Sequence, residues 1–230
     1  MGDINEKTIL MWWELFKGEL PLTEIRILDG GVTYSGYFND VHQMIDAIRP
    51  YGMKAIYGLV NIINPACFSR KQSGKIIRIQ KDEGTGDSHV IGRQMFLIDL
   101  DPKRGSGVNA TDEEKREAYE VMKKIGMFLH DEGFPSPVIA DSGNGYHLYY
   151  RVALHNTPES TQLIKDCLEV LNDLFSNDKV DIDTTVFNAA RISKLIGTVS
   201  RKGTNTPERP QRESFFVKVP ERWEVTDIAY

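Results

Sequence analysis

Two aspartates one residue apart, Asp99 and Asp101 in LIDLD, close an apolar run that begins at Met95. On a strand, alternate side chains share a face and two residues advance about 6–7 Å. Two carboxylates placed so can jointly grip one or two hard cations, and Mg²⁺ and Mn²⁺ favour such oxygen ligands. Left bare, the pair would repel and one pKa would rise. The plainer reading is the solvated head of the DPKRGSG loop, with Lys103 or Arg104 as ion-pair partner. VDIDTTVFN supplies a second acidic stretch, Asp181 and Asp183. Its plainer reading is a polar strand edge, or a local turn between Asp183 and Thr185. A third carboxylate brought beside Asp99 and Asp101 would complete a site for two ions about 3.5–4 Å apart, which stabilises the attacking and leaving oxygens of phosphoryl transfer.

Between the acidic stretches in the chain lies SGNGYH, Ser142 to His147. Glycines let a backbone approach a bulky anion, and exposed amides in a tight turn can hold phosphate oxygens. A histidine just inside the next strand can add a hydrogen bond to the same phosphate. The bland alternative is a tight hairpin with His147 buried between strands. No GxxxxGK[ST] occurs, so a P-loop motor is excluded, and GNGYH is not a GxGxxG.

The elements that must position these residues follow from pattern. Residues 6–16 (EKTILMWWELF) read as a short helix, and EIRIL and VTYSGYF as two strands joined by a tight turn at Asp29-Gly30-Gly31. Val41, Met44, Ile45 and Ile48 recur at helical spacing after Asn39 or Asp40, and Pro50 and Gly52 stop that helix. AIYGLVNII and KIIRIQ read as strands, with the basic SRKQSG between them as a mobile loop. MFLIDLD is a buried strand. Thr111 and Glu114 form a capping box for a helix whose apolar face carries Ala118, Val121, Met122, Ile125 and Phe128. PVIADS and YHLYYRV are strands around the GNG turn. Thr157 and Pro158 open a second amphipathic helix with Leu163, Ile164, Cys167, Leu168, Leu171 and Leu174 inward. Strand, helix, hairpin, helix and VDIDTTVFN predict an α+β layer with helices on one face of a small, mainly antiparallel sheet.

Length and composition bound the rest. A chain of 230 residues, 40% hydrophobic and 27% charged, can bury a proper core. No apolar run nears the roughly 20 residues that cross a bilayer, and MGDINEKTILMWWELF has no basic n-region, so a cytoplasmic protein is expected. Cys67 and Cys167 stand alone without CxxC spacing, which argues for reduced thiols and against a zinc site. The net charge of −5 is unevenly spread. Residues 191–222 hold eight Lys/Arg against three acids, leaving −10 for the remainder, a distribution suited to an anionic ligand beside carboxylates that need a cation.

In order and spacing, LIDLDP, SGNGYHLYY and DTTVFNAARISKLIGTVSRKG resemble the three motifs of the archaeo-eukaryotic primase superfamily, nearest to the primase-polymerases of phages and plasmids. The resemblance covers roughly residues 55–215. It implies an α+β primase-polymerase core: an N-terminal α/β lobe (1–90), an RRM-like catalytic lobe with a mainly antiparallel sheet (91–200) and a basic C-terminal segment (201–230). It implies a template-directed nucleotidyltransferase, a DNA primase or DNA polymerase, using two divalent cations, Mg²⁺ or Mn²⁺, and no zinc. Asp99, Asp101 and Asp183 would be the catalytic metal ligands, with Asp181 the rival to Asp183. Ser142, Gly143, Asn144, Gly145, His147, Arg191, Lys194 and Lys202 would bind the nucleotide. The partners would be single-stranded or primed DNA, nucleoside triphosphates and a helicase in cis or in trans, with no membrane. Relatives often read RPHR where this chain has Arg209-Pro210-Gln211-Arg212, so any role for that histidine is missing here. The competing classes are a non-catalytic single-strand-binding or replication-initiator module and a metal-dependent nuclease.

Overall fold

The computed structural model describes residues 4–18, 21–80 and 82–227. The chain divides into two units: residues 1–92 with 189–199, and residues 93–188 with 200–230. The segment 189–199 does not go with the second lobe as the sequence reading had it, because β10 (Ile192–Lys194) pairs with β3 (Ala55–Leu59) in the first unit.

In the first unit, α1 (Glu6–Lys17) starts at Asn5, whose side chain accepts from Thr8 N at 3.1 Å. It buries Ile9, Trp12, Trp13 and Phe16. β1 (Thr23–Asp29) and β2 (Val32–Phe38) meet through Gly30 and Gly31, both at positive φ (54° and 87°), the two-residue turn that only glycine enters without strain. α2 (Val41–Ile48) is capped by Asp40, and β3, β4 (Ile62–Ile63) and β5 (Ile77–Ile79) follow. The antiparallel sheet runs β10-β3-β1-β2-β5. Gly58 on β3 leaves the room that Trp12 fills, since a Cβ there would stand 2.6 Å from the indole. Each such fully buried side chain contributes ~1.5–3 kcal/mol. The SRKQSG stretch is tied down rather than mobile. Arg70 donates to Tyr37 Oη at 2.8 Å and to Gly84 O at 3.0 Å, and Tyr37 N donates to Gln72 O at 3.1 Å.

β6 (Val90–Pro102) begins in the first unit, where Ile62 and Ile63 of β4 pair with Gly92 and Val90, and continues into the second. There the order is β6, α3 (Asp112–Asp131), β7 (Val138–Asp141), β8 (Tyr146–Leu154), α4 (Pro158–Phe175) and β9 (Val180–Ile182), a βαββαβ succession. Thr111 and Glu114 make the capping box as expected: Glu114 N donates to Thr111 Oγ1 at 3.1 Å, and Thr111 N donates to Glu114 Oε2 at 2.8 Å. Across the sheet, β7 lies beside β8, β8 beside β6, and β9 beside β6, all antiparallel. α3 packs on β8, β9 and α4.

β11 (Val199–Ser200) and β12 (Arg212–Glu213) are two residues each. β13 (Phe215–Lys218) pairs with β7, so the C-terminal stretch is built into the sheet. Both cysteines are free, and among the described residues no helix is long and apolar enough to cross a membrane.

Candidate active site

The pleat of β6 decides which residues meet. Ile98 and Leu100 are fully buried, and Asp99 and Asp101 alternate with them on the opposite face. Antiparallel partners share a face, so register assigns the neighbours. Asp99 pairs with His147 on β8, and Asp101 pairs with Asp181 on β9. Asp183 N donates to Asp99 O at 2.9 Å, which continues that ladder one step beyond β9. Four carboxylates and one imidazole from three separate stretches therefore lie along one strip of the second unit.

His147 is 4% exposed. Its Nε2 stands 3.2 Å from Asp99 Oδ1, and its Nδ1 is 2.8 Å from Tyr149 Oη. Burial opposes charge on this imidazole, but the Asp99 carboxylate, aided by Asp101 and Asp141, outweighs it and raises the pKa above 6.5. Asp101 is raised as well, first by burial and then by repulsion from Asp99, with Arg104, Lys202 and His147 pulling the other way. Arg104 Nη2 lies 3.5 Å from both Asp101 oxygens, while its Nε and Nη1 donate to Val108 O and Pro102 O. Lys103 pairs with Asp181 at 3.1 Å. Asp183 Oδ1 accepts from Thr185 N (2.8 Å) and Thr185 Oγ1 (2.6 Å), the local turn considered from sequence.

A divalent cation fits this set in part. Two carboxylates in mutual conflict on one face are hard oxygen ligands whose repulsion a cation relieves. As the side chains stand among the described residues, no group of three or more His, Cys, Asp or Glu comes close enough to hold a metal ion. Asp183 shares the face, but its carboxylate is turned to Thr185.

The glycine turn serves its neighbours. Ser142, Gly143, Asn144 and Gly145 are all buried. The amides expected to be exposed are taken up internally: Ser142 N by Gly145 O (3.0 Å), Gly143 N by Asp141 Oδ1 (2.7 Å) and Gly145 N by Ser142 Oγ (3.1 Å). A Cβ on Gly145 would stand 2.0 Å from Leu100 O and 2.7 Å from Asp101 Oδ1, so glycine is what lets β8 approach the second aspartate. Asn144 bridges Ala110 N (2.7 Å) and Ser200 Oγ (2.8 Å). Beneath the turn, Lys115 Nζ clamps the buried Asp141 at 2.6 and 2.5 Å.

Of the predicted cations, Lys202 belongs to the same unit and its charge reaches Asp101. Arg191 and Lys194 belong to the first unit. Lys194 is buried, its Nζ donating to Val199 O at 2.9 Å and lying 5.9 Å from the Tyr57 ring centre. The sequence reading passed over Tyr149 and Lys115 as site residues. Tyr149 was readable from its spacing, since two residues along a strand from His147 it must share that face. Lys115, 26 residues from Asp141, had no local signal.

No protein-family model matches the chain, and no curated protein matches it. Among solved structures it is similar to the AEP domain of the cyanophage S-2L primase-polymerase, with a TM-score of 0.57 at 14% identity over 98% of this chain and 95% of that one. The chain has the fold of an archaeo-eukaryotic primase-type domain. It is similar also to the crystal structure of primase RepB′, with a TM-score of 0.50 at 11% identity over 93% of this chain and 56% of that one. At these identities the likeness carries the primase-type fold, and the chemistry rests on the side chains just described.

Proposed function

We infer that the protein is a template-directed nucleotidyltransferase of the primase or polymerase kind. The observation that carries this reading is the strip of Asp99, Asp101, His147, Asp181 and Asp183 along one sheet face, in a chain whose fold is that of primase-polymerase domains. Asp99 and Asp101 would hold Mg²⁺ or Mn²⁺, and we assign Asp183 as the third acid, since its backbone is paired beside Asp99. Divalent cations bound there supply positive charge to the α-phosphate and lower the pKa of the attacking hydroxyl.

The chain's own residues do the rest. Tyr149 Oη fixes Nδ1 of His147, so Nε2 is the atom directed toward the acids and, in this reading, toward the triphosphate. Lys202 and Arg104 offset charge at the open end of β6 and favour the leaving pyrophosphate. The buried 142–145 turn keeps the ends of β6 and β8 at the separation that the chemistry requires. Arg191 and Lys194, expected from sequence to bind phosphate, belong to the first unit, and the Lys194 ammonium already has an acceptor. The substrates are nucleoside triphosphates and a single-stranded or primed DNA template, and strand separation falls to a helicase.

The test is extension of a labelled primer on a DNA template with Mg²⁺ or Mn²⁺. Growth of the primer by the wild type, abolished in Asp99→Ala/Asp101→Ala with unchanged thermal unfolding, supports the reading. Shortening of the strand assigns a nuclease, and binding without either change assigns a non-catalytic module.

A further inference from the structure

Residues 201–211 join β11 to β12 without regular structure of their own, and Lys202, Thr204, Asn205 and Glu208 among them are exposed. Surface loops of this kind are ordinarily the mobile parts of a domain. This one is pinned near its start by a residue that the strip around Asp99 does not use. Asn109, 1% exposed, commits its whole carboxamide to the loop. Its Oδ1 accepts from Lys202 N (3.1 Å) and Gly203 N (3.3 Å), and its Nδ2 donates to Gly203 O (3.3 Å), Thr204 O (3.2 Å) and Arg209 O (3.2 Å).

Only a carboxamide suits this place. Two donor hydrogens shared among three carbonyls, and one oxygen facing two amides, match asparagine. A carboxylate would face the carbonyls with no hydrogen to give, and a hydroxyl has one. The backbone agrees with the side chain. A Cβ on Gly203 would stand 2.3 Å from Gly107 O, so the loop lies directly against residues 107–109. Its far end is held to the same place, with Arg209 Nη1 donating to Asn109 O at 2.6 Å and to Glu114 at 2.8 Å. The two loops joined here are the two that carry cations to Asp101, Arg104 on one and Lys202 on the other. All of these residues belong to the second unit.

We propose that Asn109 is a positioning residue: it fixes the backbone of Lys202 so that the ammonium stays beside Asp101 and takes a phosphate of the incoming nucleoside triphosphate. Lys202 is exposed and lies outside any helix or strand, so packing of its own side chain does not set its place. A lysine on a free loop would lose backbone and side-chain freedom each time it met a phosphate. Asn109 removes the backbone part of that cost in advance. The proposal rests on the functional reading in one respect, that Lys202 meets a triphosphate.

The test uses the whole chain and follows the anisotropy of a fluorescent nucleotide, N-methylanthraniloyl-dATP with Mg²⁺. The proteins compared are the wild type, Lys202→Ala, Asn109→Ala, Gly203→Ala, and the latter two each combined with Lys202→Ala. Gly203→Ala pushes the loop off Gly107 while Asn109 stays in place, so it decides the matter should Asn109→Ala fail to fold. Each single variant should weaken binding by about tenfold, the weight of one charge-assisted contact. Once Lys202 is gone, Asn109→Ala or Gly203→Ala should weaken binding no further, whereas a merely structural role would add its own loss. Losses that multiply with Lys202→Ala overturn the proposal, as does unchanged binding in Lys202→Ala or in both loop variants. A wild type that shows the coupling but extends no primer sinks the functional reading alone. A wild type that extends a primer while the losses multiply sinks this proposal alone, and one that takes up no nucleotide overturns both.

Discussion

Glu24 in the first unit and Asp101 in the second are both carboxylates on antiparallel strands among apolar neighbours, and their surroundings push them in opposite directions. Burial alone would raise Glu24, but Arg26, Ser35 and the Thr85 amide outweigh it and hold its carboxyl below 4.5. Asp101 is raised above 3.8, by burial first and by Asp99 second, and its nearest cation keeps its distance at 3.5 Å. One acid has every oxygen satisfied and stabilises the fold. The other sits in a conflict that the fold tolerates. Carboxylates held in mutual repulsion are what a functional site would keep, whereas satisfied charge serves structure.

The contrast can be broken most severely at Glu24. Glu24→Ala leaves Arg26 beside a buried hole, and we expect a loss of about 3 kcal/mol in urea unfolding. At the other pole, Asp101→Asn should leave stability unchanged or raised by up to ~1 kcal/mol while lowering nucleotide incorporation at least ~100-fold, the scale of removing an electrostatic contact made in the transition state. A destabilised Asp101→Asn would show that the conflict has been misread.

Acid titration separates the two groups by sign. Glu24 is depressed in the folded state, so its stabilisation is fully present above 4.5 and is lost as pH falls from there through the lower folded value. Asp101 is raised, so the folded state holds its proton longer, and its contribution falls as pH climbs above 3.8. Unfolding free energy measured from pH 3 to 6 should lose acid sensitivity in Glu24→Gln and gain it in Asp101→Asn. The smallest effect is expected at Lys103, whose exposed bridge to Asp181 is worth ~0–1 kcal/mol. Lys103→Ala should barely move either stability or incorporation. A large loss of incorporation there would transfer the third-acid role to Asp181.

Much of this was legible in the letters. The alternation in LIDLD and YHLYY placed Asp99, Asp101 and His147 on strands, and Thr111 with Glu114 marked the start of α3. What sequence could not show was partnership at long range. Ile192–Lys194 is a three-residue strand whose pattern names no sheet, and its pairing with β3 more than 130 residues earlier moved 189–199 into the first unit. The basic tail was misleading for a similar reason. Arg209 is bound to both Glu114 oxygens at 2.8 Å, and Arg212 to Asp112 at 2.6 Å, so charges counted as free for phosphate hold the loop to α3 instead. The glycines of SGNGYH were read as room for an anion, when the room is filled by Leu100 O and Ser200. Pattern reports which face a residue takes, and only packing reports what already occupies the space in front of it.

The proposed function requires Asp99 and Asp101, with Asp183, to hold a divalent cation. Its most direct test is a Mn²⁺ titration followed by the electron paramagnetic resonance signal of the free ion, in the wild type, Asp99→Asn/Asp101→Asn and Asp183→Asn. We predict binding by the wild type, its loss in the double variant and its weakening in Asp183→Asn, with all three chains folded. Equal Mn²⁺ binding by the wild type and the double variant would contradict the account.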